Sequence, residues 1–219
     1  MDEKNITIGY HGTTRDAAKE ILDSQDVKDS VEPDEWLGKG KYFYDRYTNA
    51  IEYIMKKYKK NKEINKTISY SNLVKNYSIL IAKIECEKRD ILDLDEITLL
   101  SKFVWAWEQI YEIVKDNEEF KKMIFRDGYI IDYMLNEVME YKVVIKTFDR
   151  IIQDNQNRRK ENTVFDKTRI AYEVKQKYIC VKDKSCIREI KQYENDFQQE
   201  YNSISGLNKI VNRRLNYEA

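Results

Sequence analysis

The sequence predicts an α+β fold, and three observations carry that reading. Short apolar runs rich in β-branched residues stand towards both ends: "NITIGYH" (5–11), "NYSILIAKIEC" (76–86), "KVVIKTF" (142–148) and "KQKYICVKD" (175–183). Between about 95 and 125 the apolar residues Ile97, Leu100, Val104, Trp107, Ile110 and Tyr111 instead recur at three and four, the helical period. Apolar residues make up 42% of 219 positions, enough to fill a packed core and to exclude a fully disordered chain. A single domain spanning 1–219, with a helical insertion at about 95–141, is expected.

In chain order, "NITIGYH" alternates and reads as a strand ending at His11. "TTRDAAKEILDS" follows as a short helix, with a threonine cap and with Ile21 and Leu22 on one face. Residues 24–40 are polar, hold the sole proline (Pro33) and read as a loop. "KYFY" (41–44) is strand-like. Thr48 is positioned to cap a helix over "NAIEYIMKKYKK", whose buried stripe is Ile51, Ile54, Met55 and Tyr58. The run at 76–86 is apolar enough for a central strand. Trp105 and Trp107 read as core residues of the long helical region, and a second helix, "YIIDYMLNEVMEY", follows Gly128. After the strand at 142–148, residues 149–167 lack periodicity and read as an exposed loop. "TRIAYEV" and "KQKYICVKD" read as two strands or one bent one. From about Ser185 the pattern reads as helix, a break at "SISG", then helix again.

Composition narrows the function. Lys+Arg and Asp+Glu are equal at 39 each, so no global field draws the chain to nucleic acid or to an anionic membrane. No apolar run approaches the roughly 20 residues of a membrane span. The opening "MDEKNITIGY" is acidic and polar, unlike a secretion signal, so a cytoplasmic location is expected. Cys86, Cys180 and Cys186 lack metal-ligand spacing and read as reduced thiols, the alternative being a Cys180–Cys186 bridge at a strand end. With one histidine, no metal site is expected.

Glycine is unevenly placed. Of six, Gly9, Gly12, Gly38 and Gly40 fall in the first forty residues, within "GYHGTT" (9–14) and "WLGKGKYFY" (36–44). Glycine is required where φ is positive or where a partner approaches too closely for a Cβ. A strand ending in His-Gly-Thr presents an imidazole, an uncovered peptide and a hydroxyl at one point. A Gly-x-Gly turn leading into Tyr-Phe sets an aromatic face beside open backbone. Together they suit a flat, amide-bearing ring stacked on tyrosine.

These two stretches resemble the ADP-ribosyltransferase superfamily, in its diphtheria-toxin and poly(ADP-ribose)-polymerase branch. The family's His-Gly-Ser/Thr strand end is here His11-Gly12-Thr13, and its Gly-Lys-Gly-x-Tyr-Phe element is Gly38-Lys39-Gly40-Lys41-Tyr42-Phe43. Eleven residues beyond Tyr42, Tyr53 falls where the polymerases carry a second nicotinamide-stacking tyrosine. The resemblance is strong over 9–53 and rests mainly on strand order beyond. It implies a split β-sheet core with inserted and C-terminal helices, and NAD as the substrate. His11 would bond a ribose hydroxyl, Gly12 the carboxamide through its backbone, and Thr13 would add a hydroxyl contact. Tyr42 and Tyr53 would stack on the two faces of nicotinamide.

The family's third position, a glutamate or in some bacterial relatives a glutamine, sits in a late-strand Glu-Tyr-Ile pattern. Here the matching stretch is Lys177-Tyr178-Ile179, with lysine in the glutamate's place. Strand alternation sets Gln176 on the face of Tyr178 and opposite Lys177, which favours Gln176, with Glu173 as the alternative. Ala50 stands where the polymerases place a carboxamide-binding serine, leaving that bond to Asn49 or Thr48 or unmade.

The resemblance therefore implies an NAD-dependent mono-ADP-ribosyltransferase acting on a macromolecular acceptor, protein or nucleic acid. Chain elongation in the family goes with glutamate at the third position, so single-unit transfer is expected. A bacterial or phage-related toxin or defence effector, with an antitoxin or inhibitor as partner, fits by analogy. Arg158, Arg159 and Lys160 lie where the family selects its acceptor and suit an anionic target. The alternatives are a catalytically degenerate NAD- or partner-binding member of the same fold, an RNA 2′-phosphotransferase-like enzyme, and an interaction module built on the helices.

Overall fold

The first strand outruns its expected bounds because it pairs along its whole length. In the computed structural model, which describes residues 3–30, 35–62, 70–123, 126–137, 139–149 and 175–193, β1 (Lys4–Thr14) lies antiparallel to β3 (Tyr77–Glu87). Their register runs from Lys4↔Glu87 to Thr14↔Tyr77. α1 (Arg15–Ser24) starts at once, with Thr14 Oγ1 accepting from the Ala17 N–H. β2 (Lys41–Tyr44) and α2 (Tyr47–Lys62) follow, then α3 (Tyr70–Asn76) directly before β3. Beyond it come β4 (Ile91–Asp93), α4 (Ile97–Val114), α5 (Glu118–Lys122) and α6 (Asp127–Glu137). β5 (Val143–Asp149), β6 (Lys175–Val181) and β7 (Ile187–Gln192) complete the described strands.

Among the described residues the fold is mixed α+β around one seven-stranded sheet, ordered β4-β5-β6-β2-β1-β3-β7. Every pairing is antiparallel except β4 with β5. Alternate strand residues enter cores on opposite faces. Phe43, Leu80, Ala82, Ile84, Ile145, Ile179 and Val181 pack under α1 with Ala18 and Ile21. On the other face, α4 and α6 cover Val144 and Cys180 with Phe103, Ile110, Ile130 and Met134. On that same side α2 covers Tyr77 and Ile79 with Ala50, Ile51 and Ile54. Each fully buried aliphatic side chain here contributes roughly 1.5–3 kcal/mol.

Several elements differ from expectation, each for a physical reason. Residues 187–192 form an edge strand rather than the start of a C-terminal helix. Ile187 and Ile190 are three apart, a helical spacing, but the outer edge of β3 takes up the segment through Ala82↔Ile190. A register shift between Lys83 and Ile84 brings both isoleucines to the same core. Gln25 locks it: Nε2 donates to the Ile190 carbonyl and Oε1 accepts the Ile190 N–H (3.0 and 2.8 Å). The apolar stripe of α4 is turned about its axis. Phe103, Ala106, Ile110 and Val114 are buried, while Ile97 (74% exposed), Val104 and Trp105 (66%) are not. α4 is apolar around most of its girth, so packing on α6 selects which side is covered. The helical region also breaks at Asn117, whose Oδ1 caps α5 by accepting from the Glu119 and Phe120 N–H groups. Thr48 lies inside the first turn of α2 instead of capping it. The three cysteines are buried free thiols. Glu173, the segment with Arg158, Arg159 and Lys160, the strand expected at 168–174 and the helices expected beyond 193 lie outside the described residues.

Candidate functional site

The middle of the sheet is its weak seam. β2 pairs with β6 over four positions, Lys41↔Val181 to Tyr44↔Tyr178, but meets β1 only at Tyr10↔Tyr44. Beyond Tyr10 the two strands part, and the gap is bridged by a side chain. His11 Nδ1 lies 2.9 Å from the carbonyl oxygen of Tyr42. A carbonyl only accepts, so Nδ1 carries the proton and Nε2 keeps its lone pair. Burial is the largest influence on the ring and pulls its pKa below the usual histidine value; the Tyr42 carbonyl opposes this and the Lys57 ammonium adds to it. At neutral pH His11 is thus an uncharged Nδ1–H imidazole with an acceptor at Nε2.

That tautomer is directly observable because the chain has one histidine. Nitrogen NMR of ¹⁵N-histidine-labelled protein is expected to show protonated Nδ1 and bare Nε2 at pH 7. The sign of the pH dependence follows. With the folded pKa below the unfolded value of about 6.5, the unfolded chain binds the extra proton first, so stability falls as pH drops below that value. A bare Nδ1 at pH 7 would show that the Tyr42 bond is not formed.

Gly12, the next residue, answers a close approach. A Cβ there would lie 2.7 Å from the Ala50 carbonyl oxygen and 2.9 Å from Ile54 Cγ1, both on α2. Only a bare backbone lets α2 press this near to β1. At the second glycine stretch the reason is conformation: Gly38 has φ +75° and Gly40 φ +153°. The turn they shape is tied from several sides. Gly38 N–H donates to the Glu35 carbonyl (3.1 Å), and Lys39 N–H donates to Asp132 Oδ2 (2.8 Å). Lys182 Nζ donates to the Leu37 and Lys39 carbonyls and to Asp132 Oδ1 (2.7, 2.6 and 2.8 Å). The Tyr42 hydroxyl closes the turn, donating to the Gly38 carbonyl (2.7 Å) and accepting the Leu37 N–H (2.9 Å). Burial first, then neighbouring Cys180, pushes its pKa up, so it remains a neutral phenol.

These elements enclose a cavity of about 540 Å³, within the size range of small-molecule sites. His11, Gly12, Thr13, Tyr42 and Tyr53 all line it. Tyr53 projects from α2, its hydroxyl accepting from Lys57 Nζ at 3.0 Å. Trp36, Tyr44, Tyr77 and Tyr178 add aromatic wall. Tyr44 sits 5.0 Å from Tyr178 and 6.2 Å from Tyr53, centroid to centroid, and Trp36 5.6 Å from Tyr178. Lys28, Lys57, Asp29 and Glu35 bring charge to the lining, with Asp29 held by the buried Lys41 ammonium at 2.6 Å.

Gln176 stands behind this wall, buried. Its Nε2 donates to Glu52 Oε2 (3.1 Å), and its Oε1 accepts from the Tyr178 hydroxyl (3.2 Å). It shares a face with Tyr178, as strand alternation requires, while Lys177 turns to Asp95 (3.6 Å). Tyr178, and not Gln176, is the β6 residue that reaches the cavity. Asn49 is buried with its Nδ2 on Asp45 Oδ1 (3.3 Å). Sequence reasoning missed Glu35, Trp36, Tyr44, Lys57 and Tyr178 as lining residues. Three signals were available: Trp36 and Tyr44 bound the glycine stretch, Tyr44 shares the face of Tyr42, and Lys57 stands one helical turn past Tyr53.

Among the described residues, no cluster of three or more potential metal ligands occurs, and no helix is long and apolar enough to cross a membrane. No protein-family model and no solved structure matches the chain. The chain is similar to an uncharacterized protein of Methanocaldococcus jannaschii, 28% identical over 196 residues, which cover 84% of this chain and 86% of that protein.

Proposed function

We propose that this protein is an NAD-dependent mono-ADP-ribosyltransferase that modifies a macromolecular acceptor, built on a split sheet of the ADP-ribosyltransferase type. The observation that carries the reading is convergence. Residues 11–13, 42 and 53, on three different elements, meet at one aromatic-walled cavity where the sheet parts. In this reading His11 Nε2 accepts from a ribose hydroxyl, the opened backbone at Gly12 holds the carboxamide, and Tyr42 and Tyr53 flank the nicotinamide ring. Nicotinamide is a good leaving group, so the protein's task is to hold the ring, orient the ribose and stabilise the cation that forms.

The experiment is incubation with NAD labelled in its adenylate part, together with lysate protein and nucleic acid. The expected outcome is nicotinamide release with label fixed on a macromolecule, and loss of both in Tyr42→Ala. One observation favours a second reading, an NAD-binding protein without turnover: both ends of the Gln176 amide are engaged by protein partners. NAD binding by calorimetry with no nicotinamide release and no label transfer would select it.

A further inference from the structure

We propose that Glu35 supplies the negative charge of this cavity, set against the cation that forms at ribose C1′ of NAD. The proposal rests on the NAD reading above. When nicotinamide departs, the bond between C1′ and the ring nitrogen breaks and its electron pair neutralises the pyridinium. Positive charge is left shared between C1′ and the ribose ring oxygen. The acceptor's nucleophilic atom then bonds C1′ and gives up a proton. An anion placed beforehand near that charge is worth most in a cavity that excludes water.

β6 does not present one. Lys177 is a cation turned to Asp95, and Gln176 is neutral, with its amide committed to Glu52 and Tyr178. Two carboxylates line the cavity, Asp29 and Glu35. Asp29 is matched by the Lys41 ammonium at 2.6 Å, with Asp26 3.4 Å from the same nitrogen. Glu35 is bonded instead by the Ser30 hydroxyl, a neutral donor that leaves the charge in place. Among the described residues no Lys or Arg pairs with it. Its field reaches two rings of the cavity wall: burial chiefly raises the Tyr42 and Tyr44 hydroxyls, and the Glu35 charge adds to that push. Its backbone is fixed by the Gly38 N–H, so one turn sets both this carboxylate and the Tyr42 ring.

The test uses the full chain as Glu35→Gln and Glu35→Asp, reading nicotinamide release and NAD affinity by calorimetry. Glu35→Gln is expected to lower kcat about a hundredfold, with KM and NAD affinity within about threefold of wild type, and Glu35→Asp to keep part of the rate. Wild-type turnover by Glu35→Gln overturns the proposal. So does a fully active Glu35→Gln beside an inactive Glu52→Gln, which would move the charge behind Gln176. A raised KM and lowered thermal midpoint with unchanged kcat would assign Glu35 a structural role and overturn it as well. A wild-type protein that neither binds NAD nor releases nicotinamide sinks the NAD reading itself, so the two failures are distinguishable.

Discussion

On the proposed NAD reading, replacing His11 by alanine is expected to lower nicotinamide release by about a hundredfold to a thousandfold, the scale for losing one preorganised polar contact. The reason is the bridge across the seam. His11 joins β1 to β2 through the Tyr42 carbonyl, so the alanine variant loses both the Nε2 acceptor and the tie that sets the gap. The structural part is small, about 1 kcal/mol for one hydrogen bond. A thermal midpoint only a few degrees lower, beside the large drop in kcat/KM, would separate the two roles. If nicotinamide release survived the substitution, the ring would be a sheet staple and nothing more.

Gly38→Val carries the largest expected effect on stability. Gly38 has φ +75°, where a β-branched residue is strained by roughly 1–2 kcal/mol. A Cβ there would also crowd Asp132 Oδ1 and lie 2.6 Å from the Gly128 carbonyl oxygen. Overpacking of this kind costs roughly 1–3 kcal/mol, so a total of about 2–5 kcal/mol is expected. That is a large share of the roughly 5–15 kcal/mol that holds a domain together. Denaturant unfolding should show it against Lys39→Ala, whose exposed side chain predicts a change within about 0.5 kcal/mol. The same variant should move the Tyr42 hydroxyl, which bonds the Gly38 carbonyl, so the cavity and the fold fail together. A Gly38→Val protein as stable as wild type would show that the turn tolerates another conformation.

Local signals served well where a segment's character depends on its own residues. The aromatic run "KYFY" and the apolar, β-branched run at 76–86 marked β2 and β3, because such residues favour the pleated backbone whatever the partner. The glycines marked a turn and a close approach, but that α2 is what approaches Gly12 was not legible in the sequence. Where a partner decides, the sequence was ambiguous. "IREIKQ" spaces its isoleucines as a helix would, and only the outer edge of β3, with its register shift, makes it a strand. α4 is apolar on too many sides for its spacing to say which one packs, and Trp105 ended in solvent.

By itself the sequence determined the α+β class and the paired glycine stretches, because each rests on local geometry or on a residue type with no substitute. The residues at 11–13, 42 and 53 were singled out by a family resemblance, and only the fold shows that they line one cavity. Tertiary structure alone decided that β1 and β2 touch at one pair and then separate, that imidazole spans the gap, and that Gln176 faces Glu52 while Glu35 faces the cavity. Those outcomes depend on which strands become neighbours and how far their ladders run. Pairing across more than a hundred residues of chain, such as Gln176 with Glu52, follows from the packing of the whole sheet and leaves no mark on any short stretch.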